Sequence, residues 1–110
     1  LHAASIKASR QNTTLICVAT NASLSHSQLQ RLTVHAHDGL ARSIFPVHTV
    51  ADGDIAFALS TGEKELGEEH LLTLAVMTTF VVERAIIKSV KHAKTISDIP
   101  SATDWLGIHT

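Results

Sequence analysis

The chain has 110 residues, 45% of them hydrophobic and 17% charged, with a formal net charge of −1. That balance excludes a disordered chain, and with no Lys/Arg cluster interleaved with aromatics it gives nucleic acid no electrostatic hold. The length suits one small domain or a piece of a larger one, and a chain with no tyrosine and a single Trp must build its core from Leu, Ile, Val and Ala.

Residues 1–11 read as a polar arm with Lys7 and Arg10. They hold no apolar core of the kind a secretory signal needs. The chain does not open on Met, so a fragment or a processed product is expected. Thr14–Thr20 (TLICVAT) is β-branched, apolar and continuous, which predicts a strand buried on both faces. The lone cysteine, Cys17, falls within it. It excludes an intrachain disulfide, agrees with a reducing, cytoplasmic setting, and is read as a buried small apolar side chain rather than a nucleophile.

Asn21–Ser23 predicts a turn. Ser25 with Gln28 three residues on is a capping box, and a helix should run from there to about Arg42. Leu29, Leu32, Ala36 and Leu40 supply its apolar stripe, and Gly39 lets a neighbouring backbone approach closely. Pro46 to Gly53 reads as a loop or irregular edge, Asp54–Thr61 (DIAFALST) as a second apolar strand, and Gly62–Gly67 as a charged turn. A long helix is expected from about Glu68 to Lys94, acidic at its start and basic at its end as the helix dipole favours. Its most apolar run, Leu71–Val82, carries three threonines and is too short to span a bilayer, so no membrane partner is expected. After Ile96 the tail, with Pro100 and Trp105, reads as loosely structured.

The order is therefore strand, helix, strand, helix: an α/β chain. Two strands cannot cover two such apolar helices, so the sheet should continue in another chain or segment, and an isolated monomer is not expected.

Two places offer chemistry. Asn12-Thr13-Thr14 stands at the mouth of the first strand. Taken alone it is a turn residue followed by two strand formers. If the Asn12–Thr13 bond is cut, however, Thr13 gains a free α-amine beside its own hydroxyl, joining nucleophile and base in one residue. An unperturbed α-amine titrates near about 7.7–8.0, close to working pH. Asp52-Gly53-Asp54 precedes the second strand. Taken alone it is a turn with two solvated carboxylates. At i and i+2 the aspartates can also face the same side of an extended chain, with Gly53 permitting a tight bend. Strands starting side by side would bring both to Thr13. Their charge would favour the ammonium form of its amine and weaken it as a base, so one aspartate partly protonated, or a group from elsewhere, is needed for balance.

The runs Asn12–Ala22, His37–Arg42 and Asp52–Gly62, in this order and at these spacings, resemble the C-terminal part of the L-aminopeptidase/D-esterase family. That family includes β-peptidyl aminopeptidases and nylon-oligomer endohydrolases, and the Asn–Thr junction is most similar to the nylon-oligomer branch. The resemblance covers roughly residues 10–95.

The resemblance implies a self-processing amide or peptide hydrolase with Thr13 as N-terminal nucleophile after autocleavage at Asn12–Thr13, assisted by Asp52 and Asp54. It implies a four-layer αββα sandwich, of which residues 13–110 are the small, nucleophile-bearing part and residues 1–12 the end of the large N-terminal fragment. The expected partners are that large fragment, a small peptide or amide substrate, and further copies of the protein. The oxyanion-stabilising groups and most of the pocket are expected in the large fragment.

No cofactor is expected. Eight histidines invite a metal reading, but His35 and His37 lie two apart on a predicted helix and no ligand spacing of the HExxH or Cys/His type occurs. The competing function is non-catalytic: a small α/β domain that binds a metabolite or a protein partner by completing a sheet across chains.

Overall fold

A computed structural model describes residues 12–107 of the chain; the polar arm expected over residues 1–11 lies outside the described residues. Strand β1 (Leu15–Ala22) and strand β2 (Ile55–Lys64) form a parallel pair. Helix α1 (His26–Ser43) makes the crossover between them, as parallel strands require. The register sets Leu15 opposite Ile55 and continues without slip to Thr20 opposite Ser60. A single turn of 3-10 helix (Glu68–His70) leads into helix α2 (Leu71–His92), and a short helix α3 (Ala102–Leu106) follows.

The capping box at Ser25 is present in full. The Ser25 hydroxyl accepts from the Gln28 amide at 3.3 Å, and the Gln28 side chain accepts from the Ser25 amide at 2.8 Å. Helix α1 then buries Leu32, Ala36, Gly39 and Leu40. Leu40 and Ala36 join Ile16 and Val82 in the core, with Val18, Ile44, Val47, Ala56 and Ile86 packed around them. Gly39 is the point of closest approach between α1 and α2. A Cβ there would lie 2.6 Å from the Thr79 carbonyl oxygen and 2.8 Å from Val82 Cβ. The Thr79 hydroxyl returns the contact by donating to the His35 carbonyl at 3.0 Å.

Besides the turn expected at Asn21–Ser23, two residues of which belong to β1, three sequence expectations are corrected. The charged turn expected from Gly62 to Gly67 is partly strand, since β2 runs to Lys64. Gly62 takes φ +73°, which lets the strand continue through an irregular step, and Ser23 N–H then pairs with the Lys64 carbonyl at 2.6 Å. The tail is ordered rather than loose over its described residues, 97–107. The Ser101 amide donates to the Thr95 hydroxyl at 2.8 Å, Thr95 bonds the Asp104 carboxylate, and Ser101 caps α3. These are local polar bonds, which carry no hydrophobic period for a sequence reading to find. The third correction concerns burial: β1 is covered on one face only, with Leu15 71% exposed and Cys17, expected to be buried, exposed on the same face.

The same face of β2 leaves Ile55, Phe57 and Leu59 exposed, and α2 exposes Leu72, Val76, Met77, Phe80 and Val81. The described residues thus form a two-layer piece, sheet against helices, with its least dimension 20 Å. An apolar run of Leu71–Val82 is too short for a bilayer, but the helical stretch as a whole, Glu68–His92, is long and apolar enough by length and composition to cross one. One stripe of it is nevertheless occupied: Ala75, Thr78 and Val82 are buried, the last of them in the core shared with α1.

Candidate functional site

The two candidate segments meet because the strands begin in register. Extending the ladder back from Leu15 and Ile55, Asn12 pairs with Asp52 as a parallel bridge. Thr13 therefore stands beside Gly53, and Thr14 beside Asp54. Backbone bonds fix this arrangement. The Asn12 amide donates to the Ala51 carbonyl at 3.2 Å, the Gly53 amide to the Asn12 carbonyl at 2.8 Å, and the Ile55 amide to the Thr14 carbonyl at 3.0 Å.

The Thr13 side chain is exposed, and its hydroxyl lies against Gly53 so closely that a Cβ on that glycine would sit 3.2 Å from Thr13 Oγ1. Gly53 was expected to permit a bend. Its φ is not positive, and its missing side chain instead leaves room for the threonine hydroxyl.

Asp54 is the better buried of the two carboxylates, its side chain 4% exposed. Such a group needs partners in place of water. Its Oδ1 accepts from the Thr14 amide at 3.0 Å. Its Oδ2 faces His48, 3.3 Å from the ring Nδ1 and 3.4 Å from the backbone amide. Asp52 turns the other way, into its own loop: Oδ2 accepts from the Thr49 amide at 2.9 Å and from the Thr49 hydroxyl at 2.7 Å. Those two hydrogen bonds, hydroxyl first and amide second, hold the Asp52 carboxyl below its ordinary range, with nearby His48 adding a smaller push the same way.

So Thr13, Asp52 and Asp54 share one sheet end. Asp54 reaches the backbone next to Thr13, Asp52 closes the loop that leads into Gly53, and among the described residues neither carboxylate bonds the Thr13 hydroxyl.

His48 was not separable in the sequence from the other seven histidines. Two structural features distinguish it. It holds φ +57°, a left-handed conformation uncommon for a residue with a side chain. Its ring also packs on that of His37 from α1, with centroids 4.9 Å apart and planes tilted by 60°. His37 Nδ1 is buried and has no hydrogen-bond partner among the described residues. Among the described residues no group of three or more His, Cys, Asp or Glu side chains is disposed to hold a metal ion.

Residues 2–103 match the model of peptidase family S58. An uncharacterized aminopeptidase of Mycobacterium bovis is 37% identical over 84% of this chain and 30% of its own length. An uncharacterized aminopeptidase of Mycobacterium leprae is 38% identical over 82% of this chain and 28% of its own. A 6-aminohexanoate-oligomer endohydrolase of Kocuria sp. is 38% identical over 50% of this chain and 16% of its own. The chain thus spans less than a third of the length of these relatives. With nearly all its residues inside the family match, and with Asn12–Thr13 and Asp52–Asp54 meeting at one sheet end, the chain belongs to peptidase family S58, the L-aminopeptidase/D-esterase family.

Proposed function

We propose that this chain is the nucleophile-bearing part of an amide or peptide hydrolase that matures by cutting its own Asn12–Thr13 bond. One observation carries the reading. The carbonyl that would be attacked, that of Asn12, accepts a 2.8 Å hydrogen bond from Gly53, the residue against which the attacking hydroxyl of Thr13 lies. A backbone N–H at that distance stabilises negative charge as it develops on a carbonyl oxygen.

In maturation, Thr13 Oγ adds to the Asn12 carbonyl carbon, and the bond from that carbon to the Thr13 nitrogen breaks. The hydroxyl proton ends on the nitrogen, leaving Asn12 joined to Thr13 Oγ as an ester with the α-amine free. Water hydrolyses the ester and releases Asn12 as a carboxylate. In turnover, Thr13 Oγ attacks a substrate amide while the α-amine takes its proton and passes it to the leaving amine. Water then clears the acyl-enzyme. Asp54, anchored on the Thr14 amide, and Asp52, anchored on Thr49, keep negative charge near the new ammonium and hold the strand mouth in shape.

The rest of the reading follows from the partial span. A large N-terminal segment of the same precursor would cover the exposed apolar faces of β1, β2 and α2, completing a four-layer sandwich and most of the pocket. Aminopeptidase substrates and aminohexanoate oligomers, named for the relatives, define the substrate class proposed here: small amides and peptides. Assembly into homo-oligomers and a cytoplasmic location belong to the same reading.

The test is mass spectrometry of the full-length protein. Two fragments are expected, the smaller beginning at Thr13, with Thr13→Ala abolishing both cleavage and amide hydrolysis. A Thr13→Ala protein that still cleaves and still hydrolyses would overturn the proposal.

A further inference from the structure

Asp54 is the hub of the strand mouth, and His48 lies against it. The Asp54 carboxylate is almost fully enclosed, so each oxygen must be satisfied by a specific donor. Oδ1 holds the Thr14 amide, one residue from the proposed nucleophile. Among the described residues only His48 reaches Oδ2: its backbone N–H donates at 3.4 Å, and its ring Nδ1 stands 3.3 Å away. His48 sits there at φ +57°, in the left-handed region, a conformation that costs free energy in a residue with a side chain and persists when surrounding contacts enforce it. The tilted packing of the His37 ring against the His48 ring supplies such a contact from helix α1.

We propose that His48 is a positioning residue for Thr13. It fixes Asp54 Oδ2, which fixes Oδ1 on the Thr14 amide, which sets where the Thr13 hydroxyl stands. His48 touches neither the scissile carbonyl nor the hydroxyl, so its effect travels through Asp54. This inference rests on the self-cleaving reading above.

The backbone conformation supplies a clean test in the full-length protein. Asn and Gly both tolerate positive φ, but only Asn retains a short side-chain N–H donor. His48→Asn is therefore the conservative variant and His48→Gly the deletion. The readout is the first-order rate of precursor conversion into two fragments, followed on gels for folded protein at equal concentration, with thermal melting measured alongside. His48→Gly is expected to slow conversion about tenfold or more, the scale set by loss of sub-ångström placement of a reacting group. His48→Asn is expected to convert within about threefold of the parent, because asparagine keeps a polar N–H group beside the carboxylate. Equal rates for His48→Gly and parent, or equal slowing by both variants with unchanged melting, would overturn the proposal. A Thr13→Ala control separates the two readings: if it still cleaves, the self-cleavage reading fails, whereas slow Gly and fast Asn variants beside an inert Thr13→Ala support both.

Discussion

Gly53→Ala offers the sharpest probe of whether the Thr13 hydroxyl is held where it matters. The new methyl would arrive 3.2 Å from Thr13 Oγ1, inside ordinary contact distance, so something must give by a few tenths of an ångström. The backbone is poorly placed to yield. On one side the Gly53 amide is bonded to the Asn12 carbonyl at 2.8 Å, and on the other Asp54 clamps the Thr14 amide at 3.0 Å. The threonine side chain must therefore rotate. Being β-branched, it has few alternatives at χ1, and an off-rotamer position costs about 0.5–1.5 kcal/mol. If the present rotamer is the reactive one, that cost appears in the barrier as a slowing of about 2- to 13-fold. Folding stability should not fall in step, because removing a glycine outside the positive-φ region gains about 0.4–1 kcal/mol through the unfolded chain. The assay is the rate of precursor cleavage alongside a denaturation midpoint. Repeating it in a Thr13→Ser background closes a double-mutant cycle, and serine, with no γ-methyl, should rotate freely and lose less. Cleavage at the parent rate in Gly53→Ala, or an equal loss in both backgrounds, would refute the claim that this contact orients the nucleophile.

Other outcomes follow from the same geometry. Asp54→Asn preserves shape but removes the charge beside the strand mouth, and cleavage and hydrolysis are expected to fall on the order of 100-fold; parent-like rates would remove Asp54 from the mechanism. Thr49→Val should let the Asp52 carboxyl rise toward its ordinary value, read by NMR titration, since the Thr49 hydroxyl is the largest cause of its lowering. The sign of the linkage follows: a carboxyl lowered on folding stabilises the folded state above its unfolded value of about 3.9, and that stabilisation drains as pH falls through the lower folded value. Thr49→Val should therefore flatten the acid limb of the stability curve; an unchanged limb would count against the Asp52 loop closure. Gly39→Ala should destabilise by about 1–3 kcal/mol from overpacking, despite a helix-propensity gain of up to about 1 kcal/mol, because the methyl meets the Thr79 carbonyl at 2.6 Å. A denaturation midpoint that rises instead would show that the helices do not meet there.

Much of the fold was legible because its signals are local. The capping box at Ser25 and Gln28, the stripe of Leu32, Ala36 and Leu40, and the two apolar runs each specify an element without reference to the rest of the chain. Gly39 was legible as a contact for the same reason, a small residue on an apolar stripe. The carry of β2 past Gly62 and the ordered corner at Thr95–Ser101 were not, because hydrogen bonds between residues of no distinctive pattern hold them in place. The chemical candidates Asn12, Thr13, Asp52 and Asp54 were visible by type and order.

What the sequence determined by itself was the set of elements and the residues able to do chemistry, since helix caps, hydrophobic periods and nucleophile–carboxylate types are properties of short segments. Only the tertiary structure decided how those residues divide the work. The parallel register set Thr13 against Gly53, gave the Thr14 amide to Asp54 and turned Asp52 toward Thr49. It also singled out His48 from eight histidines, by lodging its ring between Asp54 and His37. Such choices depend on ångström-scale distances between segments some forty residues apart, and those are fixed when strands pair and helices pack, not by the composition of any one segment.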